Sequence, residues 1–148
     1  MSREYTVSGV FSAMDVAASG LSAERGRMNV IASNLANAHT TKGVDGVAYR
    51  RLDPVFVSKG LASGSFDPVL RNVKEVELAG VRADTNPGQL VYDPGHPDAN
   101  AQGYVEYPNV NVVTEMVNLM TASRAYEAGV TSIETLKSMA KAAIKIGT

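Results

Sequence analysis

Two carboxylates and an imidazole, Asp93, Asp98 and His96, fall within one short loop, and side chains of these types at that spacing could ligate a divalent metal. The same loop holds Pro94, Gly95 and Pro97. Asp-Pro-Gly followed by His-Pro-Asp describes a turn before it describes a metal site. His39 lies between Asn37-Ala38 and Thr40-Thr41. A Ser-His-Asp nucleophilic site can be drawn around it on paper, but no Gly-x-Ser-x-Gly elbow accompanies it, and helix-end capping accounts for a histidine there. Tyr49-Arg50-Arg51 could stack on a nucleobase or clamp a phosphate. With a formal net charge of −1 and no wider basic stripe, a surface or interface role is favoured over nucleic-acid binding. Neither glycine-rich phosphate-cradling motif is present. Cysteine is absent, which excludes a disulfide framework, a thiolate metal site and a cysteine nucleophile. The residues therefore assign no catalytic, cofactor or metal position and give no reason to expect an enzyme.

The elements that would position these groups follow from where proline is missing. All six prolines of the 148-residue chain lie between Pro54 and Pro108. A proline inside a helix removes an amide donor and clashes with the preceding turn, so proline-free flanks predict long helices at both ends. In the first flank Met14, Leu21, Met28 and Leu35 recur at every seventh residue, with Val10, Ala17, Ile31 and Ala38 on the neighbouring seam and Glu24 interrupting it. In the last flank Val112, Leu119, Tyr126, Ile133 and Ala140 keep the same spacing, with Met116, Val130 and Ile144 beside them. Such heptads mark helices that pack lengthwise on other helices. The predicted spans are residues 9–37 and 111–145, with Asn111 as N-cap and Glu115 in the first turn, where the helix dipole favours an anion. Gly129 sits inside the second span and weakens it locally.

The centre differs in kind. It holds every proline and most of the glycines, with strand-like runs at Val47–Arg51, Val55–Val57, Val73–Arg82, Gln89–Tyr92 and Tyr104–Tyr107. The expected fold is mainly α with a small β region: long terminal helices paired as a coiled coil around a central segment of hairpins and extended loops. Residues 1–40 and 110–148 would form a discontinuous helical domain, and residues 41–109 a turn-rich region. No apolar run exceeds three residues, so neither a transmembrane helix nor a signal-peptide core is expected. Two helices sharing one seam bury too little to offset backbone ordering of about 1–2 kcal/mol per residue, and Val113, Val117 and Met120 are apolar off that seam. The chain reads as a subunit that completes its fold by assembly.

Particular strings carry a resemblance. Ser19-Gly20-Leu21-Ser22-Ala23-Glu24-Arg25, then Met28 to Thr41 with Asn34, Ala36, Asn37 and Thr40, resembles the N-terminal motif of bacterial flagellar axial proteins: rod, hook and hook-associated subunits sharing an ANxxT signature. Val91 to Ala99, Gly103 to Asn111, Glu115 to Asn118 and Ala122 to Ala128 are similar to the proximal-rod members of that family. Two positions depart from the family pattern: Gly129 stands where asparagine is usual, and Ala48 precedes Tyr49-Arg50-Arg51 where proline is common. The resemblance implies terminal helices paired as an inner coiled coil, packed helically around a central channel, with the middle segment as an outer region against neighbouring subunits. It implies a structural subunit of the basal-body rod that transmits torque from motor to hook and filament. Its partners would be copies of itself, other rod subunits and the flagellar type III export apparatus, with no nucleic acid and no membrane insertion. It would reside in the rod spanning the periplasm after export from the cytoplasm. Met14, Leu21, Met28, Ile31, Leu35, Met116, Leu119, Tyr126, Val130 and Ile133 are the expected subunit- and helix-packing residues. Asn34 and Asn37 would cap backbone and bridge subunits, alongside the motif residues Ala36, Thr40, Tyr49, Arg50 and Arg51. The alternatives are another rod or hook component, or a small metal- or ligand-binding module built on the Asp93–Asp98 loop.

Overall fold

Each proline-free flank holds one long helix. The computed structural model describes residues 2–60 and 73–146, and side chains within 12–60 and 73–145. Helix α1 spans Ser2–Ala36 and helix α2 spans Val112–Ile146, each 35 residues and so about 50 Å long. The heptad predicted a later start for α1 because the stripe gives out before Val10, yet helix needs only compatible backbone there. Asn37 and Thr40 end α1: the Asn37 side chain donates to the Ser33 carbonyl at 2.9 Å, and Thr40 donates its amide to the Asn37 carbonyl and its hydroxyl to Asn37 Oδ1. The ANxxT spacing is thus a helix stop written in hydrogen bonds. Asn111 opens α2, its Oδ1 accepting the Thr114 amide at 2.9 Å, as the N-cap expectation requires.

Between the helices lie two separate two-stranded sheets, β1 (Leu52–Gly60) with β2 (Lys74–Ala83), and β3 (Gln89–Tyr92) with β4 (Tyr104–Tyr107). The β3–β4 pair is antiparallel, in register Gln89↔Tyr107 through Tyr92↔Tyr104. Gly88 is forced at its entrance, since a Cβ there would strike the Tyr107 carbonyl. Two expectations need correction. Strand β1 is longer than Val55–Val57 and runs through Pro54, which is tolerated because both strands of a two-stranded sheet are edges. Val47–Arg51 is not a strand: the Tyr49 amide turns back to the Thr40 carbonyl and the Arg51 amide goes to the Asn109 side chain, so neither enters a ladder.

The chain packs as two compact units, one of Met1–Gly26, Phe56–Ala79 and Ala122–Thr148, the other of Arg27–Val55 and Gly80–Thr121. In the first, Leu21 of α1 packs against Gly129 of α2, and the Val76 amide of β2 donates to Ser19 Oγ of α1. Helix α2 passes through Gly129 unbroken. The second unit holds the β3–β4 hairpin and the buried polar residues described next.

Candidate functional site

Asn34, in the last turns of α1, is fully buried and uses every hydrogen-bonding position of its amide. Its Nδ2 donates to the Leu52 carbonyl at 2.9 Å and to Glu115 Oε2 at 3.2 Å. Its Oδ1 accepts the Leu52 amide at 2.9 Å and the Tyr49 hydroxyl at 2.9 Å. Toward Leu52 the side chain therefore behaves as a neighbouring strand would, fixing the first residue of β1. Glu115, in the first turn of α2, is only 1% exposed, and its other oxygen accepts Arg51 Nε at 2.9 Å. Arg51 also contacts Asp53 through Nη1, and Arg50 donates to the Asn86 carbonyl at 2.8 Å with Glu106 3.7 Å away. One cluster thus joins α1, the segment entering β1, and the start of α2.

The electrostatics follow from these contacts. Burial alone would lower the Arg51 pKa, but hydrogen bonding and charge attraction from Glu115, then Asp53, outweigh it and hold it above the ordinary arginine value. The stability linked to that shift is present below the ordinary value and is lost only as pH rises through the raised one, so Arg51 remains a cation in neutral solution. Asp84 shifts the other way: the Asn86 backbone amide donates to its carboxylate at 2.9 Å and lowers its pKa. That contribution is present above the ordinary carboxylate range and is lost as pH falls through the lowered value. The cluster's polar groups hydrogen-bond one another and so brace α1, the segment entering β1 and the start of α2 together.

The residues expected from sequence fall in several places. Ile31 is buried; Met14, Leu21, Met28, Leu35, Leu119, Tyr126, Val130 and Ile133 are half-buried; Met116 is exposed. Asn34, Tyr49 and Arg51 meet in the polar cluster, Asn37 and Thr40 close α1, and Ala36 is exposed. The Asp93–Asp98 loop is a turn: Asp93 Oδ1 accepts the Gly95 amide, His96 Nδ1 accepts the Asp98 amide, and Asp98 accepts the Thr41 hydroxyl at 2.7 Å. Among the described residues, no three His, Asp or Glu side chains are grouped to hold a metal ion. His39 and His96 each stand edge-on to Tyr107. Sequence reading gave Glu115 only a dipole role and missed its burial. The available signal was an acidic residue flanking an apolar seam in a chain with a paired arginine motif upstream.

Residues 14–43 match the family model for flagella basal body rod protein, and residues 101–146 match that for the C-terminal part of flagellar basal body rod FlgEFG protein. A flagellar basal-body rod protein FlgC from Borreliella burgdorferi is 44% identical, over 93% of this chain and 97% of that protein. The chain belongs to the flagellar basal-body rod protein FlgC family. FlgC of Escherichia coli O6:H1 is 45% identical over 90% of this chain and 94% of its own length, and FlgC of Bacillus subtilis is 42% identical over 93% and 97%. The FlgC family is a structural one, and the two segments matching rod-family models are the ones the polar cluster joins, through Asn34 in the first and Glu115 in the second.

Proposed function

We propose that this flagellar basal-body rod protein is a structural subunit that assembles with its own copies and other rod components into a helical tube transmitting torque, with no catalytic step of its own. In this reading α1 and α2 pair as a coiled coil. Residues 1–40 and 110–148 form the axial domain, residues 41–109 form the outer region, the heptad residues from Met14 to Leu35 and Leu119 to Ile133 make the packing seam, and exposed Met116 packs against a neighbouring subunit. The chain reaches the rod through the flagellar type III export apparatus, for which a marginally folded monomer is an advantage. The observation that carries the proposal is the Asn34–Glu115 hydrogen bond, buried and 3.2 Å long, tying the end of one rod-family segment to the start of the other.

The test is complementation of a strain of the source bacterium lacking its own copy. Wild-type chain should restore rods and swimming. Leu21→Asp or Leu119→Asp should abolish rod assembly while the exported chain is still detected in the medium, because packing the seam would bury an unpaired carboxylate. Normal rods with either variant would refute the seam assignment, and failure of the wild-type chain would refute the rod role.

A further inference from the structure

Two apolar surfaces of opposite shape lie in different units of the chain. The first is a ridge on α2: Val113, Met116, Val117 and Met120 are 55–72% exposed and share one helical face, opposite buried Glu115 and Ala122. Arg124 extends that face by one turn. The second is an open groove of about 490 Å³, lined by Leu21, Phe56 and Val76 and by the small residues Ala17, Ala125 and Gly129. Glu24 also lines it, the charge opposite to that of Arg124.

We infer that the Val113–Met120 ridge of one copy seats in the Leu21–Phe56–Gly129 groove of the next, a contact that rests on the rod-subunit reading and supplies its geometry. Methionine side chains adapt to irregular apolar gaps, and the small residues lining the groove leave the room they need. Each ridge side chain offers on the order of 60–120 Å² of apolar area. The four together give on the order of 250–500 Å², below the roughly 800 Å² per partner of a stable pair. A contact this small holds only when repeated. Ridge and groove are different surfaces, so each added copy still presents an unused one of each, and the contact propagates instead of closing into a two-fold dimer.

The chain has no cysteine, so introduced ones report cleanly. Two differently tagged chains, one carrying Met120→Cys and the other Ala125→Cys, are mixed at high concentration and oxidised. A disulfide joining the two tags should exceed, at least tenfold, that formed by Met120→Cys with Asp45→Cys, a pairing on the exposed 43–47 loop. A predominant Met120→Cys homodimer, or no excess over the Asp45 pairing, overturns the ridge-in-groove contact. A second measurement covers variants that perturb folding: Met116→Glu with Met120→Glu should leave the helical circular dichroism unchanged and lower the assembled fraction at least tenfold, and undiminished assembly overturns the contact. Restored swimming with wild-type chain reads the rod role separately. If swimming is restored and the mixed disulfide is absent, the contact alone falls. If swimming is not restored, the rod role falls and the disulfide still decides the contact.

Discussion

Asn34 shows how one side chain can decide where two elements meet. Its four hydrogen bonds engage both backbone groups of Leu52, the Tyr49 hydroxyl and the Glu115 carboxylate. Leaving a buried donor or acceptor unpaired costs about 1–3 kcal/mol, and water can reach some of these groups once the side chain is gone. Asn34→Ala should therefore lower stability by about 3 kcal/mol, read from the urea midpoint of helical circular dichroism. Asn34→Asp keeps the shape and removes the two donors, placing a second carboxylate against Glu115 and the Leu52 carbonyl. At neutral pH it should be at least as damaging as alanine. An aspartate variant as stable as wild type would mean that the amide donors contribute nothing. Within the cluster, the loss of Arg51 matters more than the loss of Asp53, because Glu115 is buried while Asp53 retains access to solvent.

At the level of elements, the close approach of α1 and α2 in the first unit turns on Gly129. A Cβ there would lie 2.7 Å from Leu21 Cδ2 and 3.3 Å from its Cγ. Alanine gains about 1 kcal/mol of helix propensity, and the displaced atom is the movable end of a leucine, so the two effects oppose each other. Gly129→Ala should be close to neutral in wild type and should stabilise by about 1 kcal/mol in a Leu21→Ala background, a coupling read by a double-mutant cycle of thermal midpoints. Equal effects in both backgrounds would show that Leu21 does not press on Gly129. The sequence treated this glycine as a local weakness, because spacing along one helix cannot reveal what a second helix presses onto it. Strands β3 and β4 were legible to the residue, since Pro87-Gly88, the Asp93–Gly103 turn and Pro108 bracket them. Val47–Arg51 misled because valine and tyrosine are strand-forming residues while the Tyr49 and Arg51 amides have loop partners. Asn34, Tyr49 and Arg51 stood out as motif residues, but their meeting was not legible: the polar cluster draws on residues 34, 49–53, 109 and 115, and Glu115 signalled itself only as an acid beside an apolar seam.

For the whole molecule, what matters is how little apolar material is buried. Among the described residues, the buried apolar side chains are Ala23, Val30, Ile31, Ala38, Ala48, Val105 and Ala122. Most of these are alanines, which bring the least area to a core. Valines and methionines along α2 stay in solvent instead. Isolated helices are marginal in water without tertiary packing, so a single copy should hold its long helices weakly, and neighbouring copies should supply the missing contacts. Hydrogen exchange reads this directly. In dilute monomer the amides of α1 before Gly26 and of α2 beyond Ala122 should exchange by local opening at low free energy, whereas the Leu52 amide, held by Asn34, should be the slowest. On assembly the helical amides should gain protection by at least a hundredfold, with the gain at Leu52 much smaller because its partner is already in place. Strong protection along both helices in dilute monomer would overturn folding by assembly. Equal gains at Leu52 and along the helices would mean that the polar cluster itself forms only in the rod, moving its role from preorganising the monomer to locking the assembled state.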